Sequence, residues 1–234
     1  MLFRILLTLG CLSLAAAILF AILFRERRPS IYFASERGDT NAIAQYLASG
    51  SNVNTVIRGY RSGNKPWKAP LLDIAIQNGQ SETVDFLLKS GASPNEPDSM
   101  GDTPLLWVIG GSKNTVSRER RLQILKMLLA LGADPNLKSS SEYRYAPLLE
   151  AASLGQSEMT SILLAAGADV TATNTIGQTA LHLADNAEVA KILLAAGGDR
   201  RARQKDGMTP ADMAAWAKRL NVFAVLTNAP IQNQ

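Results

Sequence analysis

Hydrophobic residues follow two patterns along this chain. From Ile5 to Phe24, twenty consecutive residues are uncharged and mostly apolar. Beyond them, short segments place apolar residues at the spacing of one helix face, as in Glu82 to Leu88. Glycines separate these segments, as at Asn78-Gly79 and Leu154-Gly155. The two patterns predict one long apolar helix followed by many short amphipathic helices.

The long apolar run is sufficient to cross a membrane. At about 1.5 Å per residue, its helix would span the roughly 30 Å hydrocarbon core of a bilayer. We therefore interpret Ile5–Phe24 as a single transmembrane anchor. A cleaved signal peptide is the alternative, because Ala15-Ala16-Ala17 resembles a cleavage site and Arg4 supplies the preceding charge. The run continues from Ile18 to Phe24, which is long for a signal peptide and favours the anchor.

The charges beside this run indicate an orientation. Arg25, Arg27 and Arg28 follow it, whereas Arg4 and the chain terminus precede it. The positive-inside bias therefore favours a cytoplasmic domain, with a periplasmic or secreted domain as the alternative. Cys11, the single cysteine, lies inside the run, so disulfides cannot report the compartment.

A repeated opening motif divides the rest of the chain. Its five copies are Ala69-Pro70-Leu71-Leu72, Thr103-Pro104-Leu105-Leu106, Ala146-Pro147-Leu148-Leu149, Thr179-Ala180-Leu181-His182 and Thr209-Pro210-Ala211-Asp212. Proline suits the first helical position because its φ is preset and it lacks an N–H that would be unpaired there. A preceding threonine caps the helix with its hydroxyl. Each copy therefore predicts a short helix.

A second repeated motif places two leucines before a glycine. It occurs at Leu87–Gly91, Leu128–Gly132, Leu163–Gly167 and Leu193–Gly197. The glycine suits a left-handed helix C-cap, and the sequences that follow, such as Asp134-Pro135-Asn136, favour turns. Two short helices and a turn cannot bury a core alone, but stacked copies can.

These motifs, their order and their spacing resemble the ankyrin-repeat family over roughly Ser30 to Asn228. The resemblance implies an all-α fold, an ankyrin-repeat solenoid of helix-turn-helix units, here preceded by one N-terminal transmembrane helix. We predict a membrane anchor or signal sequence with a basic flank in residues 1–28, an ankyrin-repeat domain in residues 29–229 and a short tail in residues 230–234. About four full repeats lie between degenerate caps.

Several segments depart from the family pattern. The family histidine is kept only as His182, and we expect Leu72, Leu106 and Leu149 to replace it elsewhere. The third unit carries about ten extra residues, Gly110–Arg121, of which the last four should extend its second helix. The fifth unit is short, and the turn after the first unit, Thr55–Lys68, is enlarged.

Candidate catalytic and metal-binding residues are few. His182 is the single histidine, and no cysteine follows the apolar run, so a His/Cys zinc site is excluded. Asp185 is near it in sequence, but nothing indicates the nucleophile and oxyanion donors of a hydrolase. For His182, the resemblance implies a structural helix-to-turn hydrogen bond.

Other chemical motifs are equally weak. We interpret the pair Glu150 and Glu158, like Glu82 and Asp85, as ordinary helix-surface charges. The segment Gly110-Gly111-Ser112-Lys113 lacks the upstream glycine of a nucleotide-binding loop. We expect no enzyme activity, cofactor, metal or small-molecule substrate.

The chain is basic, with a formal net charge of +4. Its cationic groups are interspersed with acidic residues such as Glu119 and Asp206, and no aromatic-basic face accompanies them. We therefore expect a solvated basic surface and no nucleic-acid binding.

Protein binding is the favoured function. The resemblance implies that a partner meets the turn tips and inner helices, and two turns carry Tyr, Trp and Arg, the residue types enriched at interface hot spots. The predicted partner-binding residues are Tyr60, Arg61, Trp67, Tyr143, Arg144, Tyr145, Arg200 and Arg201. Alternatively, Trp67 covers the edge of the stack. Trp107 and Trp216 are expected to pack in the core.

We therefore predict a membrane-tethered protein–protein interaction module that acts as a scaffold or adaptor. The alternative is an exported or periplasmic ankyrin protein that inhibits, or gives immunity against, a toxin or enzyme.

Overall fold

The computed structural model describes residues 30–61, 65–111, 116–140 and 142–228. The predicted anchor Ile5–Phe24, the remainder of residues 1–28 and the predicted tail at residues 230–234 lie outside the described residues. No helix among those described combines the length and hydrophobicity that crossing a bilayer requires.

Twelve helices, in six consecutive pairs, make up most of the described chain. The helices are α1 Ser30–Arg37, α2 Thr40–Ala48, α3 Leu71–Gln77, α4 Ser81–Lys89, α5 Pro104–Gly110, α6 Arg118–Ala130, α7 Pro147–Ser153, α8 Ser157–Ala165, α9 Ala180–Leu183, α10 Ala187–Ala195, α11 Pro210–Trp216 and α12 Leu220–Thr227. The first helices of successive pairs contact one another, and so do the second helices. The predicted stack of helical hairpins is confirmed.

Local sequence explains where these helices begin and end. Pro104 is the first residue of α5, and the Thr103 side chain accepts a hydrogen bond from the Leu106 N–H. The second helices end near a glycine in the left-handed region, such as Gly132 with φ 93°. A side chain at this φ would be strained, which explains the glycine.

The core runs through the whole stack, between the two rows of helices. Its most regular members are the four leucines that lie four residues before each terminal glycine, and all of them are fully buried: Leu87, Leu128, Leu163 and Leu193. Each unit therefore packs its apolar surface against its neighbours, and these contacts take the place of a single central core.

The enlarged turn at Thr55–Lys68 contains strands that sequence reasoning did not predict. Strand β1, Val56–Arg61, pairs antiparallel with β2, Lys65–Pro70, in the register Val56↔Pro70 to Arg61↔Lys65. Ile57 is buried whereas Val56 is half exposed, which is the alternation of a strand packed on one face. The predicted helical repeat fold is therefore confirmed, with one two-stranded hairpin added in this turn.

This hairpin also shifts the start of the second helix pair by one residue. Because β2 continues to Pro70, this proline is the N-cap of α3 and Leu71 is the first helical residue. Asp73 is then the third helical residue, the position that His182 holds in α9. The expectation that Leu72 replaces the histidine is wrong, because the motif was aligned one residue early.

The insertion and the deletion agree with prediction. Helix α6 begins at Arg118 and has 13 residues, whereas α4, α8 and α10 have 9. The Arg121 guanidinium donates to the Ile109 carbonyl at 3.3 Å, which joins the extra turn to α5. Helix α9, in the short fifth unit, has only 4 residues.

The two helical tryptophans differ. Trp107 is buried as expected, but Trp216 is 75% exposed, so the prediction of core packing is wrong for that residue. Trp216 is the last residue of α11, and the last residues of α3 and α7 are Gln77 and Ser153, which are partly exposed. The position lies at the surface in each of these units, and sequence periodicity alone did not show it.

Candidate protein-binding surface

The turns between helix pairs form a continuous ladder. Backbone N–H groups of one turn donate to backbone carbonyls of the turn before it. These bonds are Ser99 to Lys68 at 2.9 Å, Ser140 to Gly101 at 3.0 Å, Thr175 to Tyr143 at 3.1 Å and Lys205 to Ile176 at 2.9 Å. Five successive turns are therefore joined along one edge of the stack, which is the arrangement that a shared binding surface needs.

A second ladder holds the bases of the turns, and sequence reasoning did not identify it. The Asn95 side-chain amide donates to the Gly132 carbonyl at 3.0 Å, and its oxygen accepts from the Asp134 N–H at 2.8 Å. Asn136 makes the same two bonds to the next unit. At the following unit Thr171 bonds to Asp169 of its own turn instead.

Three of the predicted binding residues, Tyr60, Arg61 and Trp67, belong to the hairpin. The register pairs Tyr60 with Pro66, Trp67 with Gly59, and Arg61 with Lys65 at the end of the ladder. The structure describes only the backbone of these three residues. Their side-chain contacts with a partner, and the alternative that Trp67 covers the edge of the stack, stay predictions.

The third turn brings its two predicted tyrosines together. The rings of Tyr143 and Tyr145 lie 6.0 Å apart between centroids, with an interplanar angle of 32°. Tyr143 is 47% exposed, whereas Tyr145 is partly buried against the core. Arg144 between them is exposed and has a left-handed φ of 49°. An accessible aromatic ring supported by a second ring suits a preorganised contact.

Arg200 and Arg201 lie at the helix end of the fifth turn. They lie beyond the Gly197-Gly198 segment that follows the end of α10, and the Arg201 N–H donates to the Asp199 carboxylate at 2.8 Å. The tip residue of this turn is Lys205, whose N–H bonds to the fourth turn. Both arginines are exposed, but they do not stand in line with the tips as Tyr143 does.

A groove that the sequence did not predict lies between α5 and α7. Its walls include Asp102, Leu106, Trp107, Gly110, Tyr145 and Glu150. Glu150 is half-buried, and burial together with the negative charge of Asp102 raises its pKa. The interpretation of Glu150 as an ordinary surface charge is therefore wrong, whereas Glu158 is an exposed carboxylate paired with Arg118 at 3.1 Å.

His182 has the structural role that the resemblance implied. Its Nδ1 accepts from the Thr179 N–H at 3.2 Å and lies 2.9 Å from the Thr179 hydroxyl. Its Nε2 therefore carries the proton and donates to the Met208 carbonyl at 3.1 Å in the next turn. Burial lowers the pKa of His182, which favours this neutral form. Within the described ranges, no group of three or more potential metal ligands is arranged around a common site.

Asp73 is the equivalent residue in α3, but the N-cap of α3 offers its carboxylate no hydrogen-bond donor. In α11 the third helical residue, Asp212, accepts from both the N–H and the hydroxyl of Thr209, the N-cap. The N-cap of α3 is Pro70, which has neither group. Asp73 is fully buried, and among the described residues neither of its carboxyl oxygens has a hydrogen-bond partner. Burial and the nearby Asp98 raise its pKa.

Comparison with known proteins places this chain in a family. The profile described as "Ankyrin repeats (3 copies)" matches residues 31–139, 115–203 and 148–234. Protein PhlB of Serratia liquefaciens is 30% identical over 184 residues, which are 76% of this chain and 76% of PhlB. A solved ankyrin repeat domain from Acinetobacter baumannii AYE has a TM-score of 0.67 and 26% sequence identity, covering 85% of this chain and 96% of that domain.

One similar protein is an enzyme. Glycerophosphocholine phosphodiesterase gde1 of Schizosaccharomyces pombe is 34% identical over 134 residues, which are 53% of this chain but 11% of the phosphodiesterase. Because so little of that protein is spanned, the similarity transfers no activity to this chain. The repeat motifs, the stacked helix pairs and the matching profile agree, and the chain belongs to the ankyrin-repeat family.

Proposed function

We propose that this chain is a membrane-tethered protein–protein interaction module that acts as a scaffold or adaptor through its turn tips. Ankyrin repeats indicate a protein partner. The single observation that carries the choice of the tips is the position of Tyr143, which is half exposed, lies beside the Tyr145 ring and is held by the hydrogen-bonded turn ladder. A contact surface held in this way loses little conformational entropy on binding.

Tethering rests on the apolar run Ile5–Phe24 and on the arginines after it. An anchored module meets membrane-bound partners at a raised effective concentration, which increases the occupancy of each complex. The arginine bias supports a cytoplasmic domain. Carbonate extraction of membranes tests the anchor: the full chain should stay in the membrane pellet, and deletion of residues 1–28 should release it. Recovery of the full chain in the supernatant contradicts the proposal.

The binding surface is tested by capture with the full chain in detergent. Tyr143→Ala combined with Arg144→Ala should weaken retention of the partner at least tenfold, since hot-spot residues often contribute about 2 kcal/mol or more. Trp216→Ala is the matched control, because it removes an exposed aromatic ring away from the turns. Equal loss with both variants, or no loss with either, refutes binding through the tips.

The alternative, an exported inhibitor or immunity-type factor, is favoured by the small residues Ala15-Ala16-Ala17. The mass of the mature protein distinguishes the two proposals. An intact N-terminus supports the anchor, and a chain that begins near residue 18 supports export.

A further inference from the structure

We propose that the groove between α5 and α7 receives one cationic side chain, arginine or lysine, from the bound protein partner. This inference deepens the proposed function and rests on it, because the cation is supplied by the partner. It adds a specificity-determining contact to the stacking surface of the third turn.

The size of the groove suits a single side chain. Its volume is about 180 Å³. Pockets for drug-sized molecules and cofactors occupy roughly 300–1,000 Å³. A metal site is disfavoured as well, because the described residues contain no suitable group of three ligands. The volume suits a slender group such as a single side chain.

The electrostatics of the groove favour a positive charge. Glu150 projects from α7 beside Gly110, where an added Cβ would lie 3.2 Å from its Oε1. Among the described residues Glu150 forms no ion pair, and its carboxylate accepts no hydrogen bond. Burial and the charge of Asp102 both raise its pKa, and no cation among the described residues lowers it.

Two arginines of the neighbouring helix α6 are engaged elsewhere. Arg118 pairs with Glu158, and Arg121 donates to the Ile109 carbonyl. A guanidinium or ammonium group from outside would therefore supply the missing charge and form a charge-assisted hydrogen bond with Glu150. Such a bond in a partly desolvated groove is stronger than one at an exposed surface.

The groove is continuous with the proposed binding surface. Tyr145 forms part of its wall, and the same ring stacks beside Tyr143 at the third turn. Burial raises the pKa of Tyr145, and the charge of Glu150, on the wall of the same groove, raises it further. An aromatic ring beside a carboxylate is a favourable environment for a cation, through its ring face as well as the charge. A partner seated on the turn tips can therefore extend a side chain into the groove.

The test uses the isotope-labelled full chain in detergent micelles and the peptide acetyl-Gly-Gly-Arg-Gly-Gly-amide. Chemical shifts of the Gly110 and Glu150 amides report binding. The same peptide with lysine should bind, and one with citrulline, the neutral analogue of arginine, should not. Glu150→Gln removes the charge at nearly constant shape and should weaken the arginine peptide at least tenfold. Glu82→Gln is the matched control, since Glu82 is an exposed carboxylate on α4.

Each outcome decides the inference. Binding of the arginine or lysine peptide that depends on Glu150 supports it. Equal binding of the citrulline peptide, unchanged affinity in Glu150→Gln, or no saturable shift with either cationic peptide overturns it. Partner capture separates this inference from the proposed function. If capture requires Tyr143 but is unaffected by Glu150→Gln, the inference about the groove is wrong and the proposal of binding through the turn tips still holds.

Discussion

Replacing Asp73 by leucine should stabilise this protein, although it alters a fully buried residue. Both carboxyl oxygens of Asp73 are buried, and neither has a hydrogen-bond partner among the described residues. Leucine has the same branching, with two methyl groups in place of the two oxygens. Leu106 and Leu149 already occupy the third helical position in α5 and α7.

The magnitude follows from the unsatisfied group. A buried polar group without a partner costs about 1–3 kcal/mol, and the leucine removes this cost. For a chain of 234 residues, 1 kcal/mol shifts Tm by roughly 2–4 °C. We therefore expect Asp73→Leu to raise Tm at neutral pH by roughly 2–12 °C.

The pH dependence gives an independent check. Folding raises the pKa of Asp73. The unfolded carboxyl loses its proton at about pH 4, whereas the native state keeps the proton up to the higher, folded pKa. Over this window the contribution of Asp73 to stability falls as pH rises, by up to about 1.4 kcal/mol per pH unit. Asp73→Asn keeps the polar group but removes this dependence.

Thermal and urea unfolding of the three proteins between pH 4 and pH 8 measures both effects. The free energy of unfolding of Asp73→Asn relative to that of the native chain should increase with pH, and Asp73→Leu should be the most stable of the three at every pH. A lower Tm for Asp73→Leu at neutral pH, or parallel pH profiles for the native chain and Asp73→Asn, would contradict this prediction.

Three further predictions concern stability and are measured by denaturant unfolding. His182→Ala removes three hydrogen-bond contacts and should cost about 2–4 kcal/mol. Because folding lowers the His182 pKa, the native chain should also lose stability as pH falls below about 6.5, and the variant should not show this loss. Trp107→Ala should cost about 3–5 kcal/mol, and Trp216→Ala less than about 0.5 kcal/mol; similar costs for the two contradict the exposure of Trp216. Asn95→Ala should cost about 1–2 kcal/mol, since it breaks two bonds between units, whereas Thr171→Ala should cost clearly less.

Features that depend on neighbouring residues in sequence were predictable. The helix starts at Pro104 and Pro147 follow from the fixed φ of proline, and the helix ends near Gly132 and Gly167 follow from the left-handed φ that glycine accepts. The structural role of His182 followed from the family resemblance. Of the binding residues, the closeness of Tyr143 and Tyr145 follows from their place in one short turn.

Features that depend on contacts between units were not predictable. The hairpin formed by β1 and β2 shifts the start of α3 by one residue. This shift places Asp73 instead of Leu72 at the third helical position, which is buried. The groove at Glu150 combines residues from two units that are separated in sequence by more than thirty positions. Hydrophobic periodicity assigned Trp216 to the core, because periodicity does not show which face a neighbour covers.

The amino-acid sequence alone determined the repeat, most of its helix boundaries and its family, because turn, cap and apolar spacing are local properties of the chain. The packing of each unit on the next settles which polar groups are buried without compensation, which aromatic rings are exposed and which turns touch. Those outcomes depend on how each helix pair lies against the next, and the free energy of that contact is shared between residues far apart in sequence.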